Sequence, residues 1–366
     1  MKAYNNRKYS VGLGITSACN MSCDFCYSAK RRKECIDIPI SCWQDFFRKN
    51  NKYISDINFG TGENTLVDEW FNLIEFINDL DSNIGLAITT NGSLFSAISY
   101  DQRKHMILQK CITDVDVSLD YAIEEKHNRF RGHENAYQMT IDTLNYCKES
   151  NFNTTIVLMG IDDNLCIENL SGIFNIAKFY DALVRINIYR PMNSDNGLKP
   201  PSLNTILTSL DWIHENHQIC SLSDPLFSAI LTTTQTHRDP SGLKSIRILP
   251  DGGVYPSTYL IDENYLLGHI TDVDIFNNIQ NSKDLESLTT TIPSFCSNCE
   301  ILHKCRGGAI DRRLLTYNTL KMPDPYCPVK HNKSFQLRDY TIKKDDFSSI
   351  HDGYLPTLFF KSNGNK

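Results

Sequence analysis

The sequence predicts an α/β fold built on parallel strands, and two observations carry that prediction. Short apolar runs alternate with longer helical patterns through the first half of the chain, and regular βα alternation implies parallel strands joined by right-handed crossovers. At 366 residues, 41% of them apolar, the chain can also bury one large core or two smaller ones.

In order, the strand patterns are residues 11–16, 54–59, 86–90, 115–120, 155–159 and 183–189. Helical patterns lie between them at 41–49, 67–80, 96–109, 134–149 and 167–179. Six such units suit either a partial barrel or an open doubly wound sheet, and periodicity does not choose. Two strands carry a polar row. Asp116, Ser118 and Asp120 alternate with Val115, Val117 and Leu119, and Arg185, Asn187 and Tyr189 with Val184, Ile186 and Ile188. A polar row inside a sheet is costly unless it lines a wet or ligand-filled cavity. The texture changes after Pro191, and SIRILPDGGVYPSTYL reads as a hairpin turning at Asp251-Gly252-Gly253.

A formal charge of −6 argues against a general nucleic-acid grip. The N-terminus lacks a signal-peptide pattern and no apolar run approaches a membrane span, so the expectation is a soluble cytoplasmic protein without membrane contact.

Thirteen cysteines are many for such a chain, because disulfides seldom persist in the cytosol. Seven fall into two groups with metal-ligand spacing. Cys19, Cys23 and Cys26 form C-x3-C-x2-C after the first strand pattern. Cys296, Cys299 and Cys305 form C-x2-C-x5-C, and Cys327 follows in DPYCP. Three thiolates can hold three irons of a [4Fe–4S] cube and leave the fourth iron open to a ligand. Zinc is the rival reading and needs a fourth ligand, for which His105, His127 and His133 are candidates. The set of four is closed and suits a cube or zinc from spacing alone. Cys35, Cys42, Cys111, Cys147, Cys166 and Cys220 are scattered and read mostly as small packed residues.

The triplet, with aromatic Tyr27 after its last cysteine, resembles the signature of the radical S-adenosylmethionine (SAM) superfamily. NFGTGENTL at 58–66 resembles the glycine-rich segment that binds the methionyl amino group of SAM, TTNGS at 89–93 ends the third strand, and SLDYAIEEKHNRFRG at 118–132 resembles the fourth-strand segment. The resemblance covers about half the chain and implies a partial (β/α)6 TIM-like barrel, a [4Fe–4S] cluster on the triplet, and a SAM pocket made by Tyr27, Gly60, Thr61, Gly62, Glu63, Asn91, Ser118, Asp120 and Arg131. Each part has a physical rationale. Gly60 and Gly62 allow close backbone approach, Glu63 can accept from an ammonium, Ser118 and Asp120 suit ribose hydroxyls, and Arg131 suits a carboxylate. The implied chemistry is reductive cleavage of SAM to a 5′-deoxyadenosyl radical that abstracts a substrate hydrogen.

The second group, with RGG after its third cysteine, resembles the SPASM extension of radical SAM peptide-modifying enzymes. A full SPASM domain carries two auxiliary clusters, and the ligands absent here, at Ser257 and Ala309 among others, would all serve one of them. The resemblance therefore implies a twitch-like domain with one auxiliary [4Fe–4S] cluster, for two clusters in all. The expected division is 1–235 for the barrel, 236–335 for the auxiliary domain and 336–366 for a tail.

By the same analogy the leading activity is maturation of a ribosomally made peptide by cross-linking, dehydrogenation or epimerisation. A small-molecule dehydrogenase acting on a sugar, aminocyclitol or nucleotide-like substrate is the alternative, and a non-catalytic iron–sulfur or zinc protein the remote one. A flavodoxin- or ferredoxin-type protein would supply electrons. Only 18 residues precede Cys19, so leader recognition would fall to a separate protein or another surface. Arg185, Asn187, Tyr189 and Arg190 are the candidate substrate contacts, and Cys220 is a candidate hydrogen donor. The Asp311–Arg313 run has no assigned role.

Overall fold

The structure, a computed structural model, describes residues 7–192, 197–232, 234, 236–331, 338–343 and 347–363. Strands β1 (Tyr9–Leu13), β2 (Ile54–Phe59), β3 (Gly85–Thr90), β4 (Asp114–Ser118), β5 (Asn153–Gly160) and β6 (Leu183–Ile188) lie side by side in sequence order, each neighbouring pair parallel. That order separates the two architectures left open by periodicity. A doubly wound sheet reverses its strand order part-way, whereas unreversed right-handed crossovers put every helix on one face. The other face then curls inward, as in a partial barrel.

The outer layer is α1 (Ala29–Glu34) and α2 (Ile40–Asn50) after β1, α3 (Asp68–Leu80) after β2, α4 (Leu94–Ile98) and α5 (Gln102–Cys111) after β3, α6 (Glu124–Arg131) and α7 (Ala136–Glu149) after β4, and α8 (Ile167–Phe179) after β5. Trp43, Phe46 and Phe47 of α2 and Trp70, Phe71, Ile74 and Ile77 of α3 join Val11, Ile57 and Phe59 of the sheet in one buried core. Burial of each large apolar side chain contributes about 1.5–3 kcal/mol.

The 96–109 pattern is two helices where one was expected. Asp101 accepts the Lys104 amide at 3.1 Å and so caps a fresh start for α5. Helix α6 has no apolar stripe to announce it, being mostly charged. It ends on Gly132 at φ 62°, where a Cβ would lie 2.7 Å from the Ser22 carbonyl oxygen, so glycine lets α6 close onto the cysteine loop.

After β6 come α9 (Leu203–Asn216), β7 (Gln218–Leu222) and α10 (Pro225–Leu231). Strand β8 (Ser245–Ile248) pairs parallel to β1, and β9 (Gly253–Tyr255) and β10 (Gly268–His269) extend the sheet antiparallel. The hairpin expectation holds: Asp251 accepts the Gly253 amide at 3.0 Å, and Gly252 turns at φ 83°. Helices α11 (Ile275–Gln280), α12 (Lys283–Thr290), α13 (Leu302–Cys305) and α14 (Ile310–Tyr317) follow.

Two parts of the expected division read differently in the structure. Residues 245–269 continue the barrel's sheet through β8, and 336–366 contribute more than a tail. There β11 (Leu358–Lys361) inserts antiparallel between β6 and β7, with Leu358 opposite both Ile186 and Leu222. Its LFFK run supplies Phe359 and Phe360, both fully buried, and saturates two strand edges that would otherwise face solvent. The expected boundary residue 235 lies outside the described residues.

Candidate active site

Side chains from the inward face of β2 to β6 and β8 converge on one cavity: Asn58, Thr89, Ser118, Val157, Met159, Arg185, Asn187 and Arg247. The cysteine loop and the 60–63 turn line it at one end, near the C-terminal ends of the parallel strands, where ligands of such folds bind. The cavity volume is about 170 Å³.

The loop after β1 brings Cys19, Cys23 and Cys26 together on this cavity. Its course is set by neighbours. Asp37 accepts the Ser17 amide at 2.9 Å, Asn64 accepts the Ile15 amide at 3.0 Å, and the Glu63 amide donates to the Ala18 carbonyl at 2.8 Å. Each thiol also has a donor beside it. Asn91 Nδ2 lies 3.7 Å from Cys19 Sγ, Arg32 Nη2 3.8 Å from Cys26 Sγ, and Arg131 pairs with Cys23. Burial pushes the Cys23 thiol up to about 11, with Arg131 opposing; binding to iron requires the thiolate, which these donors stabilise. This is a donor set suited to a cluster with one open iron.

The 60–63 turn is moulded to the same loop. Thr61 stands at φ 137°, a region a β-branched residue adopts only when its surroundings impose it, and a Cβ on Gly62 would strike the Thr16 and Ala18 carbonyls. Glu63 is 1% exposed and accepts the Asn91 amide at 2.7 Å and the Thr65 hydroxyl at 2.7 Å. Tyr27 reaches the Thr61 hydroxyl at 2.9 Å. Tyr27, Gly60, Thr61, Gly62, Glu63, Asn91, Ser118 and Arg131 all line the cavity.

Asp120 does not, and this corrects its reading as a ribose contact. It is fully buried, accepting Arg131 Nε at 2.6 Å and the Met159 amide at 2.8 Å. Strand β4 ends at Ser118, so the alternation that would aim Asp120 inward has already stopped. Its work is to hold Arg131. If Arg131 meets the SAM carboxylate as the resemblance implies, Asp120→Asn should weaken SAM binding about tenfold by loosening it, measurable by equilibrium dialysis of SAM against reconstituted protein.

Arg185 and Asn187 reach the cavity as their strand face predicts. Below them Arg185 pairs with Asp116, whose carboxyl burial pushes up to about 7, and His351 Nδ1 lies 3.2 Å from the same carboxylate. The other substrate candidates sit elsewhere. Tyr189 follows the end of β6 and packs with Phe25, Tyr121, Phe130 and Ile161. Arg190 is committed to Asp311 at 2.7 Å. Cys220 is buried within β7 and does not line the cavity, so the hydrogen-donor reading fails on position.

The histidines offered for zinc at the first site are occupied locally. His127 Nδ1 accepts the Asp120 amide at 3.1 Å, His105 bonds Tyr146 at 2.9 Å, and His133 accepts the Asn135 amide at 3.2 Å.

Cys296, Cys299, Cys305 and Cys327 form a second group whose thiols sense one another: burial and then the other three cysteines push Cys296 up to about 12. The RGG run explains the geometry. Arg306, Gly307 and Gly308 all have positive φ, reversing the chain after α13, and a Cβ on Gly308 would strike the Asp324 side chain. Asp324 accepts the Ala309 amide at 2.9 Å and the Tyr326 amide at 3.0 Å, fixing the approach of Cys305 to Cys327. The Asp311–Arg313 run belongs to this support. Arg312 bridges Asp324 to Asp224 at the start of α10, Asp311 holds Arg190, and Arg313 donates to the backbone carbonyls of Thr291, Leu320 and Met322.

Sequence patterns missed Arg247, Thr258, Tyr259, Tyr354 and Leu355 in the cavity wall. Arg247 had a signal, since it alternates with Ile246 and Ile248; Tyr354 and Leu355 had none.

Residues 13–169 match the family model described as the Radical SAM superfamily. Over 336 residues the chain is 21% identical to the mycofactocin maturase MftC of Mycobacterium tuberculosis (strain ATCC 25618 / H37Rv), covering 89% of this chain and 84% of that one. Among solved structures, Streptococcus suis SuiB bound to precursor peptide SuiA aligns at TM-score 0.69 and 16% identity, covering 88% of this chain and 76% of SuiB. Native anSMEcpe with bound AdoMet aligns at TM-score 0.68 and 17% identity, covering 88% and 94%. At these identities the structures share the fold. No helix among the described residues is long and apolar enough to cross a membrane.

Proposed function

We propose that this chain, a radical SAM protein through residues 13–169, removes a hydrogen atom from a ribosomally made peptide and leaves it cross-linked, dehydrogenated or epimerised. The observation that carries this is the convergence of the cysteine loop, the 60–63 turn and the inward face of six strands on one cavity. Cys19, Cys23 and Cys26 would hold a [4Fe–4S] cluster, and Tyr27, residues 60–63, Asn91, Ser118 and Arg131 would hold SAM. Bound together, these groups supply a radical able to take hydrogen from an unactivated C–H bond. The chain's own residues bind and orient: Glu63 offers carboxylate oxygens to an ammonium, Arg131 offers its guanidinium to a carboxylate, and the buried aromatic wall excludes water. A peptide substrate is supported by the maturase name of MftC and by the SuiB structure containing its precursor peptide.

The second cysteine set, a closed group of four resembling the SPASM set, would hold an auxiliary [4Fe–4S] cluster. A cube spreads its thiolates over four corners. Iron analysis should find about eight irons per reconstituted chain, falling to about four in Cys296→Ala. A count near four in the unaltered protein would leave only one cube.

The electron donor is proposed to be flavodoxin- or ferredoxin-like. A surface opening lined by Cys19, Cys23 and Cys26 lies beside Arg32 and exposed Lys33 of α1, which suits an acidic donor. The direct experiment pairs the reduced protein and SAM with the peptide encoded beside its gene. Loss of two hydrogens, or uptake of one deuterium from D2O without other mass change, is expected; an unmodified peptide from every neighbouring short reading frame would reject the peptide reading.

A further inference from the structure

Five buried arginines have a carboxylate or a full set of backbone acceptors. Arg131 pairs with Asp120, Arg185 with Asp116, Arg190 with Asp311, and Arg312 with both Asp224 and Asp324. Arg313 is held by three backbone carbonyls. Arg247 differs. It is 2% exposed and lines the central cavity from β8, yet its partners are two neutral hydroxyls, Thr61 and Tyr354, the second at 3.5 Å. Its Nε has no partner. Among the described residues no carboxylate lies within ion-pair distance of it.

A buried guanidinium without a counter-charge is expensive, and a protein keeps one where a ligand completes the pair. The fold has also made room for it. Gly12 of β1 faces this group, and a Cβ there would lie 2.7 Å from Arg247 Nη1 and strike the Tyr354 hydroxyl. A glycine within a strand marks such a close approach. Around the guanidinium stand Tyr27, whose ring centre is 5.7 Å away, together with Tyr354 and the cavity-lining Tyr259 and Thr258.

We propose that Arg247 is the anchor for a carboxylate of the substrate. The inference rests on the peptide reading above and narrows it: the peptide enters with a carboxylate, either its C-terminus or an Asp or Glu side chain, seated between β8 and the tyrosines. Arg131 pairs with Cys23, whereas Arg247 touches Thr61 of the turn proposed to hold SAM and faces Tyr27, so the substrate carboxylate would sit beside the cofactor. Tyr354 places part of this subsite on the segment leading into β11.

The test uses reconstituted protein with SAM bound and synthetic hexapeptide mixtures as probes. The mixtures carry a free C-terminus without acidic residues, a C-terminal amide without acidic residues, or a C-terminal amide with one Asp or Glu. Retained peptides are measured by ultrafiltration and mass spectrometry. One carboxylate-bearing mixture should be retained about tenfold or more above the neutral amide, and which one identifies the source of the carboxylate. Arg247→Gln should erase that preference, and Arg247→Lys, which keeps the charge, should restore part of it. Equal retention of neutral and acidic mixtures by the unaltered protein would overturn the subsite while leaving the peptide reading in place. A fall in SAM affinity on Arg247→Gln as large as the fall in peptide preference would overturn it too, by assigning the arginine to the cofactor. No retention of any mixture would overturn the subsite, while the peptide reading stands or falls on the precursor-peptide experiment above.

Discussion

Cys23→Ala should reduce SAM cleavage by the reconstituted, reduced protein by more than about a thousandfold, equivalent to about 4 kcal/mol of barrier. The reason is local. Cys23 is one of three thiols in a loop whose backbone is fixed by Asp37, Asn64 and Glu63, and among the described residues no fourth cysteine lines the cavity to replace it. Its loss also leaves Arg131 with one partner fewer, because that guanidinium is shared between Asp120 and Cys23. Cys166→Ala is the matched control: the residue is exposed at the start of α8 and touches none of this machinery. High-performance chromatography of 5′-deoxyadenosine reads both variants, and substantial cleavage by Cys23→Ala would mean the triplet does not hold the cluster.

The second large effect is on stability. Arg312→Leu should destabilise the fold by about 3–5 kcal/mol, because it strands two buried carboxylates at once. Asp224 and Asp324 share that guanidinium, and each also has a structural duty: Asp224 caps α10 through the Leu226 and Phe227 amides, and Asp324 supports the turn between Cys305 and Cys327. The sign of the pH dependence follows. Burial pushes the Asp224 carboxyl up, but Arg312 outweighs it and holds the group below its usual range. Its contribution to stability is thus present above the unfolded value near 3.9 and disappears as pH falls through the lower folded value. In Arg312→Leu the stranded Asp224 carboxylate costs most at neutral pH, and its protonation on acidification should shrink the deficit. Urea unfolding at pH 7 and pH 5 measures this. An equal deficit at both values would show that lost packing, not lost charge, is responsible.

The strands and helices were legible because they differ in period, while the choice of a partial barrel came only from the strand order. Strand β2 and helix α8 fall where apolar alternation and helical spacing place them, at 54–59 and 167–179. The helix break at Asp101 was less so, since capping competes with an uninterrupted apolar stripe. In the site, residues on regular strands were predictable: Ser118, Arg185 and Asn187 point inward by alternation. Predictions failed one or two residues beyond a strand end, where the period of two no longer governs direction. Asp120 and Tyr189 are both such residues. The wall from Tyr354 and Leu355 was invisible for another reason. It is brought to the cavity by the pairing of β11 between β6 and β7, a contact spanning more than a hundred residues that no local pattern records.

The central claim is that Cys19, Cys23 and Cys26 form a radical-generating centre. Its most direct measurement is the fate of SAM with the anaerobically reconstituted, dithionite-reduced protein and no substrate. The account predicts that 5′-deoxyadenosine and methionine accumulate in equal amounts, and only when both iron and reductant are present. Intact SAM after many hours, in protein carrying its full iron, would contradict it.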